Sequence, residues 1–432
     1  MAIWHEIYES RIVSPEEAVR HIKSGQRLFL TGNCSVPQKV LAALVDYSTE
    51  LHDVEICHAL TVGPADYVHP RMEGHLRVNT MFISQNIRTA VHEGRADFTP
   101  VLLSEFNNLF KNGILPVDVA LIHVSPPDEH GFCSLGIEVG LTKSVATSAT
   151  KIIAEVNQRM PRTLGDSFIH VSKLDYVVPV DYDLPELPMG SEGHTEVIES
   201  IANNIAELIP DGATLQLGIG AIPDAVLRHI YTKKDLGIHT ELFSDGIIDL
   251  VEAGVLTNAR KTLHTGKIIA GFLLGTKRLY KWVDDNPLIE LHPTEYVNDP
   301  FVIAQNARMV AINSAIEIDL TGQVCADSIG DKLYSGVGGQ LDFIYGASRA
   351  QDGVPIIAMP STAKSFSRIV SILKPGSGVV TTRNHVHYVV TEYGVADLYG
   401  KSIRQRANSL INIAHPDFRE ELREQARALH YI

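Results

Sequence analysis

The sequence has few cysteines, and they are far apart. Its 432 residues include four, Cys34, Cys57, Cys133 and Cys325. None belongs to a CxxC pair, so the spacing gives no zinc-binding signature and we expect no bound metal. Four cysteines are also too few for a disulfide framework in a chain of this length. We therefore expect a protein of the reducing cytoplasm.

A long apolar segment and a recognisable leader are also lacking. The most apolar run, 268–275, lies between Lys267 and Lys277 and is too short to cross a bilayer. The first residues, MAIWHEIYESRIVSPEEAV, do not place a charged region before an apolar one. These features predict a cytoplasmic protein that does not bind membranes.

Positive charge is scarce. Lysine and arginine total 37 against 51 aspartates and glutamates, which gives a formal net charge of -14. This balance argues against a nucleic-acid partner and against an anionic membrane surface. It does not exclude an anionic small ligand, because the groups around a site govern what it binds. The hydrophobic fraction of 45% is typical of a soluble globular chain, and the length suggests two or three domains.

A pattern of helix, strand, glycine turn and helix occurs near the N-terminus. Ser14 predicts the N-cap of a helix that ends at Gly25, and the strand RLFL follows. The turn 32–37 then leads into an apolar-periodic helix that begins at Gln38.

The same pattern returns in the second half of the chain. The helix IANNIAELIPDG precedes the strand ATLQL, the turn 218–223 and the helix DAVLRHI. Five positions separate glycine from proline in both turns, from Gly32 to Pro37 and from Gly218 to Pro223. The repetition predicts two related α/β halves. The alternative is a chance similarity between two common strand-to-helix turns.

The boundary between the halves is predicted within 180–196, which is rich in proline, glycine and acidic residues. We expect an N-terminal domain over 1–185 and a C-terminal domain over 190–432. In the second half, apolar residues alternate from Val310 to Leu320 and predict a sheet with one solvated face.

The turn Gly218-Ile219-Gly220 is a candidate ligand site. A glycine-rich turn between a buried strand and a helix brings main-chain N–H groups to a helix N-terminus, where phosphates and oxyanions bind. Glu241 follows Gly220 by 21 positions, so a dinucleotide-binding fingerprint is one interpretation. Pro223 occupies the place of the third glycine, which argues against it. A purely structural turn, and a surface carboxylate at Glu241, remain alternatives.

Two further motifs carry residues suited to a site. The segment 335–343, SGVGGQLDF, has three glycines in four positions, so its backbone can approach a ligand closely. The segment 391–400, TEYGVADLYG, follows a predicted strand and carries Glu392. Taken singly, the first of these also fits a tight turn between strands.

Together, five ordered motifs resemble the acetyl-CoA hydrolase/transferase family, and most closely its 4-hydroxybutyrate and butyrate:acetate CoA-transferase branch. They are SPPDEHGFCSLG at 125–136, GIGAIPDAV at 218–226, HTELFSDG at 239–246, SGVGGQLDF at 335–343 and TEYGVADLYG at 391–400. The resemblance covers nearly the whole chain. It implies an α/β fold of two similar CoA-transferase domains, an internal duplication with the active site between them.

The resemblance also implies a role for particular residues. Glu241 is the expected nucleophile. The turn formed by Gly218, Ile219, Gly220, Ala221 and Ile222 is expected to contact CoA and the thioester carbonyl oxygen, with Ile219 and Gly220 among the catalytic residues. Gly338 and Gly339 are expected on the opposite side of the site, with Gly339 part of the catalytic group. Glu392 and Asn298 are expected to position the nucleophile or the acid, and Asn313 and Lys364 to contact CoA.

The implied activity is transfer of CoA between a short-chain acyl-CoA and a free carboxylate, of the acetate, butyrate or 4-hydroxybutyrate type. A ping-pong reaction through a glutamyl-CoA thioester needs no cofactor, since CoA is itself a substrate. The expected partners are acyl-CoA, a short carboxylic acid and further copies of the chain, in a homodimer or a dimer of dimers. Alternatives are an acetyl-CoA hydrolase, an NAD-dependent oxidoreductase and a non-catalytic acyl-CoA sensor.

Overall fold

A computed structural model describes residues 3–188 and 195–432. Strands in the first part of the chain are β1 Arg27–Leu30, β2 Val54–His58, β3 Leu76–Thr80, β4 Ala96–Phe98, β5 Val119–Val124, β6 Phe132–Ser134, β7 Lys151–Asn157, β8 Phe168–His170 and β9 Tyr176–Val180. Those that follow are β10 Thr214–Leu217, β11 Gly237–Ile238, β12 Leu242–Phe243, β13 Ile268–Ala270, β14 Phe272–Leu273, β15 Ile289–Leu291, β16 Met309–Ser314, β17 Glu317–Asp319, β18 Val324–Cys325, β19 Ser328–Ile329, β20 Lys332–Leu333, β21 Val354–Ala358, β22 Thr362–Ala363, β23 Phe366–Ser367, β24 Ile369–Val370, β25 Tyr388–Thr391 and β26 Gly394–Asp397.

The α-helices are α1 Ile3–Ser10, α2 Pro15–Val19, α3 Gln38–Tyr47, α4 Arg88–His92, α5 Leu103–Lys111, α6 Thr142–Ser148, α7 Glu196–Leu208, α8 Ala221–His229, α9 Gly246–Glu252, α10 Lys277–Val283, α11 Thr294–Val297, α12 Pro300–Ile303, α13 Gln340–Arg349, α14 Ile403–Ile413 and α15 Arg419–Ala428. None of the helices in the described ranges combines the length and hydropathy that a bilayer-spanning segment requires.

The chain divides into two compact units. The first comprises Met1–Leu187 and Ile269–Val297, and the second comprises Pro188–Ile268 and Asn298–Ile432. The division near 187 falls inside the predicted boundary, whereas the predicted first residue of the second domain, 190, lies outside the described residues.

The sequence predicts a C-terminal domain that is continuous from 190 to 432. The division found in the structure differs from that prediction in one segment. Residues 269–297 belong to the first unit because their main chain bonds there: Leu273 donates to Ile137 and Asp166 donates to Leu291, each at 2.9 Å. Sequence position alone gives no sign of this return of the chain.

Each unit is built on its own largely parallel sheet. The first sheet has seven strands in the order β4-β3-β2-β1-β5-β7-β9, and the second has six in the order β11-β10-β16-β21-β25-β26. In the second sheet β26 runs antiparallel to β25, and the other pairings are parallel. The strands are short and mostly buried, as expected of parallel sheets covered by helices.

The repeated pattern takes the same form in both units. In the first, α2, β1 and α3 follow one another, and in the second α7, β10 and α8 do so. Each central strand, β1 or β10, pairs in parallel with a strand on either side. The α/β fold predicted from the sequence is therefore confirmed.

Two local predictions were wrong. Ser14 caps α2 by accepting from the main-chain N–H of Glu17, but this helix ends at Val19 rather than at Gly25. The run 310–320 is not a strand with one solvated face. It forms β16 and β17, and β16 lies inside the parallel sheet, where Val310, Ala311 and Ile312 are all buried. Burial on both faces overrides the alternation.

Candidate active site

The predicted site residues lie in the second unit, and several of them gather at one edge of its sheet. The strands β10, β11, β16, β21 and β25 are parallel, so their carboxyl ends meet at this edge. Gly218 follows β10, and Glu241 follows β11 by three residues. Asn313 is the last residue but one of β16, and Glu392 follows β25. Open parallel sheets bind ligands at this edge.

The glycine turn opens directly onto a helix N-terminus. Gly220 is the N-cap of α8, with φ of 115°, and no side chain caps the helix. A Cβ atom built at Gly218 or Gly220 would meet no atom within 4 Å, and Ile219 is 36% exposed. The turn therefore has open space beside Gly218 and Gly220, and the uncapped first-turn N–H groups of α8 follow it from Ala221 onward, as an anion-binding turn requires.

Thr240 connects this turn to the chain around Glu241. Its buried hydroxyl accepts from the main-chain N–H of Leu217 at 3.3 Å. The hydroxyl proton faces two carbonyl oxygens, that of Leu217 at 3.1 Å and that of Leu242 at 3.0 Å. One side chain thus fixes the residue before Gly218 and the residue after Glu241, which sets the spacing between the glycine turn and the carboxylate.

The Glu241 carboxylate is partly buried and held by two neighbours. The side-chain amide of Asn298 donates to Oε2 at 3.0 Å. Gly339 approaches so closely that a Cβ there would lie 2.1 Å from the same oxygen. Gly339 is also the N-cap of α13, so the carboxylate lies at the positive end of that helix. A side chain at this position would have to displace the Glu241 carboxylate and the Asn298 amide.

These surroundings set the acidity of Glu241. Burial raises its pKa from 4.5 to about 7, and the charge of the nearby Asp342 adds to the rise. The Asn298 amide and the main-chain N–H of Gly339 oppose it by stabilising the ionised form. A carboxylate with a raised pKa is a better nucleophile than an ordinary one and is still substantially ionised near neutral pH.

Two side-chain hydrogen bonds connect the end of β16 to neighbouring elements. Asn313 donates from Nδ2 to Oε1 of Gln216 on the adjacent β10 at 3.0 Å. The side chain of Gln340, directly after Gly339, donates to the carbonyl of Ser314 at 2.6 Å. The end of β16 is therefore tied both to the strand before the glycine turn and to the start of α13.

Comparisons with known proteins show which family the chain resembles. The sequence profile of the acetyl-CoA hydrolase/transferase N-terminal domain matches residues 4–185, and that of the C-terminal domain matches residues 275–426. The 4-hydroxybutyrate coenzyme A transferase of Clostridium kluyveri is 52% identical, over 97% of this chain and 98% of that protein. The succinyl-CoA:acetate/propanoyl-CoA:succinate CoA transferase of Fasciola hepatica is 48% identical, over 95% and 86%.

A solved structure extends the similarity to the whole fold. The crystal structure of 4-hydroxybutyrate CoA-transferase from Porphyromonas gingivalis superposes with a TM-score of 0.86 at 40% identity, covering 99% of this chain and 100% of that one. The chain belongs to the acetyl-CoA hydrolase/transferase family. It is an enzyme of the CoA-transferase type, and the nicotinamide-dependent interpretation of the 218–220 turn is set aside.

Within this CoA-transferase, two predicted residues lie apart from the Glu241 cluster in their direct contacts. Glu392 follows β25, and its two oxygens accept from the main-chain N–H of Ser361 at 2.8 Å and from the Ser361 hydroxyl at 2.6 Å. Lys364 is exposed at the tip of the β22–β23 hairpin, with φ of 55°. Their roles toward the acid and toward CoA stay predictions.

Four residues of this transferase site were not singled out from the sequence. Thr240 lies inside the HTELFSDG motif, directly before Glu241. Gln216, Gln340 and Asp342 lie in a strand and a helix start that look structural. A polar residue at the end of a buried strand, such as Gln216, is the signal that points to a site, because burying an amide is costly without a partner.

Proposed function

We propose that this CoA-transferase moves CoA from a short-chain acyl-CoA to a free carboxylate through a covalent thioester on Glu241. The observation that supports it is the position of that carboxylate. Held by Asn298 at the N-terminus of α13, it lies one residue beyond Thr240, whose hydroxyl anchors the open glycine turn. A nucleophile and candidate oxyanion donors are thus brought to one sheet edge.

The proposed reaction proceeds in two halves. The Glu241 carboxylate attacks the acyl-CoA carbonyl, which breaks the C–S bond and gives a mixed anhydride and CoA thiolate. The thiolate attacks the Glu241 carbonyl of the anhydride and releases the first acid as its carboxylate. The enzyme then holds a glutamyl-CoA thioester, and the second acid reverses these steps. The thioester energy is conserved because no step uses water.

Each attack develops an oxyanion that needs hydrogen-bond donors. The uncapped N-terminus of α8 after Gly220 offers main-chain N–H groups on one side, and Gly339 offers another beside Glu241. Removing one such donor typically costs roughly 3 kcal/mol of transition-state stabilisation. The steps use only the glutamate and the two substrates, so the proposal includes no further cofactor.

The proposed acids are short carboxylates of the acetate, butyrate or 4-hydroxybutyrate type. The names of the two relatives, a 4-hydroxybutyrate CoA transferase and a succinyl-CoA:acetate CoA transferase, support this range. The CoA contacts proposed for Asn313, Gly338 and Lys364 follow from the same reaction. The expected assembly is a homodimer or a dimer of dimers.

An exchange assay over a panel of acids tests the proposal. The enzyme is supplied with acetyl-CoA and, in turn, butyrate, 4-hydroxybutyrate, propionate or succinate, and the new acyl-CoA is followed by chromatography. We expect acyl-CoA to form with at least one acid while total CoA thioester stays constant. Loss of thioester at a rate that no acid changes would show a hydrolase instead.

A further inference from the structure

Hydrogen bonds fix the main chain of Arg368 on both sides. It lies between β23 and β24, its N–H donates to the carbonyl of Ser361 at 2.9 Å, and its carbonyl accepts from Ile318 at 2.9 Å. Its side chain is partly buried. The backbone is therefore fixed, and the guanidinium group projects from a rigid position.

The guanidinium group has few partners for a group of five donors. Nη1 donates to the carbonyl of Ala315 at 3.3 Å, and Nε is buried without a hydrogen-bond partner. Across the described ranges, no carboxylate lies within ion-pairing distance of it. Burial lowers the pKa of Arg368, while Glu392 is near enough for its charge to oppose the change. A buried charge without a hydrogen-bonded counterion is costly.

The position of Arg368 relates it to the site. Its partner Ala315 follows β16, and the preceding residue, Ser314, accepts from Gln340, the neighbour of Gly339. Ser361, which accepts from the main-chain N–H of Arg368, also donates two hydrogen bonds to Glu392 at the end of β25. Arg368 thus lies between the ends of β16 and β25, at the sheet edge that also carries Glu241.

We propose that Arg368 binds the carboxylate of the acid substrate, an inference that rests on the proposed function. The planar guanidinium fork matches a carboxylate with two parallel hydrogen bonds. The nearby charge of Glu392 disfavours a dianionic phosphate of CoA more than a singly charged carboxylate. Arg368 therefore orients the incoming acid, and leaves one of its oxygens to attack the glutamyl thioester.

The test compares Arg368→Gln and Arg368→Lys with a matched control. Arg406 is a partly buried arginine of the same unit whose Nη1 and Nε donate to main-chain carbonyls of Thr321, Arg383 and Lys401. Arg406→Gln therefore removes a partly buried arginine whose hydrogen bonds go only to main-chain carbonyls. The melting temperature of every variant is measured beside its kinetics.

In Arg368→Gln we expect the KM for the acid to rise by about tenfold or more, the change that loss of roughly 1.4 kcal/mol produces. The KM for acyl-CoA should stay within about twofold, since each factor of two is only ~0.4 kcal/mol. Arg368→Lys should fall between, because it keeps the charge and loses the fork. Added guanidinium ion should lower the acid KM of Arg368→Gln but not change that of Arg406→Gln.

Two results would overturn the inference. A raised KM for acyl-CoA with an unchanged KM for the acid would assign Arg368 to a CoA phosphate. Unchanged KM values with a lowered melting temperature, as expected for Arg406→Gln, would make it structural. The same acid KM can be read from isotope exchange whether or not a covalent adduct forms on Glu241. A failure of the proposed Glu241 mechanism can therefore be told apart from a failure of the role proposed for Arg368.

Discussion

The amide of Asn298 donates a 3.0 Å hydrogen bond to the Glu241 carboxylate across 57 residues of sequence. This bond favours the ionised form of a carboxyl group whose pKa burial raises to about 7. Because attack requires the carboxylate, the bond increases the fraction of enzyme that is ready to react. The same pair lies against the start of α13, since a Cβ built at Gly339 would meet both side chains.

Asn298→Ala should shift the acid limb of the pH profile. In the wild type, kcat/KM for acyl-CoA should fall by about tenfold per unit as pH drops below about 7, because Glu241 becomes protonated. Without the donor, the pKa of Glu241 rises further, so the limb moves to higher pH. Asn306→Ala, a buried asparagine bonded to Ile303, is the control. A limb that stays in place, or moves to lower pH, contradicts the assigned role.

Glu241→Gln should stabilise the protein at alkaline pH. The folded-state pKa of about 7 lies above the ordinary 4.5, so the folded state carries no penalty below pH 4.5 and loses stability as pH rises to 7. The amide avoids this loss. Its melting temperature should exceed that of wild type at pH 8 and approach it near pH 4.5.

Exposed Glu424→Gln controls for the loss of one negative charge. Equal melting temperatures of wild type and Glu241→Gln at pH 8 would show that the carboxylate is not desolvated.

Two glycine substitutions should separate the two sides of the site. In Gly339→Ala the new Cβ would lie 2.1 Å from Oε2 of Glu241, so the carboxylate is displaced and kcat should fall by ~100-fold or more. In Gly218→Ala the Cβ meets nothing within 4 Å, so the fold is kept while the KM for acyl-CoA rises. Steady-state kinetics distinguish the two, and an unchanged KM in Gly218→Ala would remove this turn from the CoA site.

Thr240→Val should reduce turnover although valine has nearly the same shape. The substitution leaves the main-chain groups of Leu217 and Leu242 without the hydroxyl that joins them. We expect kcat to fall by about ten- to a hundredfold, because small misplacements of reacting groups are costly. Thr240→Ser keeps the hydroxyl and should retain most of the activity. If serine and valine behave alike, the hydroxyl has no positioning role.

The sequence was sufficient to predict the α/β class and the glycine turn after β10, since strand, glycine turn and helix are adjacent in the chain. The role of Glu241 as nucleophile came from the resemblance and stays a prediction. It was insufficient for contacts between distant segments. Residues 269–297 return to the first unit through main-chain bonds, which carry no side-chain pattern. Arg368 and Glu392 likewise share a hydrogen-bond partner, Ser361, only after β21 and β25 pair. Asn298 was found through the resemblance, because its spacing from Glu241 has no local signature.

The most direct test of Glu241 as the nucleophile is the mass of the enzyme after it is mixed with acyl-CoA alone. Intact-mass spectrometry under rapid quench should show wild-type chain heavier by one CoA less one water, with one equivalent of free acid released. Peptide mapping should place the adduct in HTELFSD, borohydride should reduce it, and acetate should discharge it as acetyl-CoA. Glu241→Gln should form none. Exchange that continues at full rate in wild type with no adduct at any quench time would contradict Glu241 as the nucleophile.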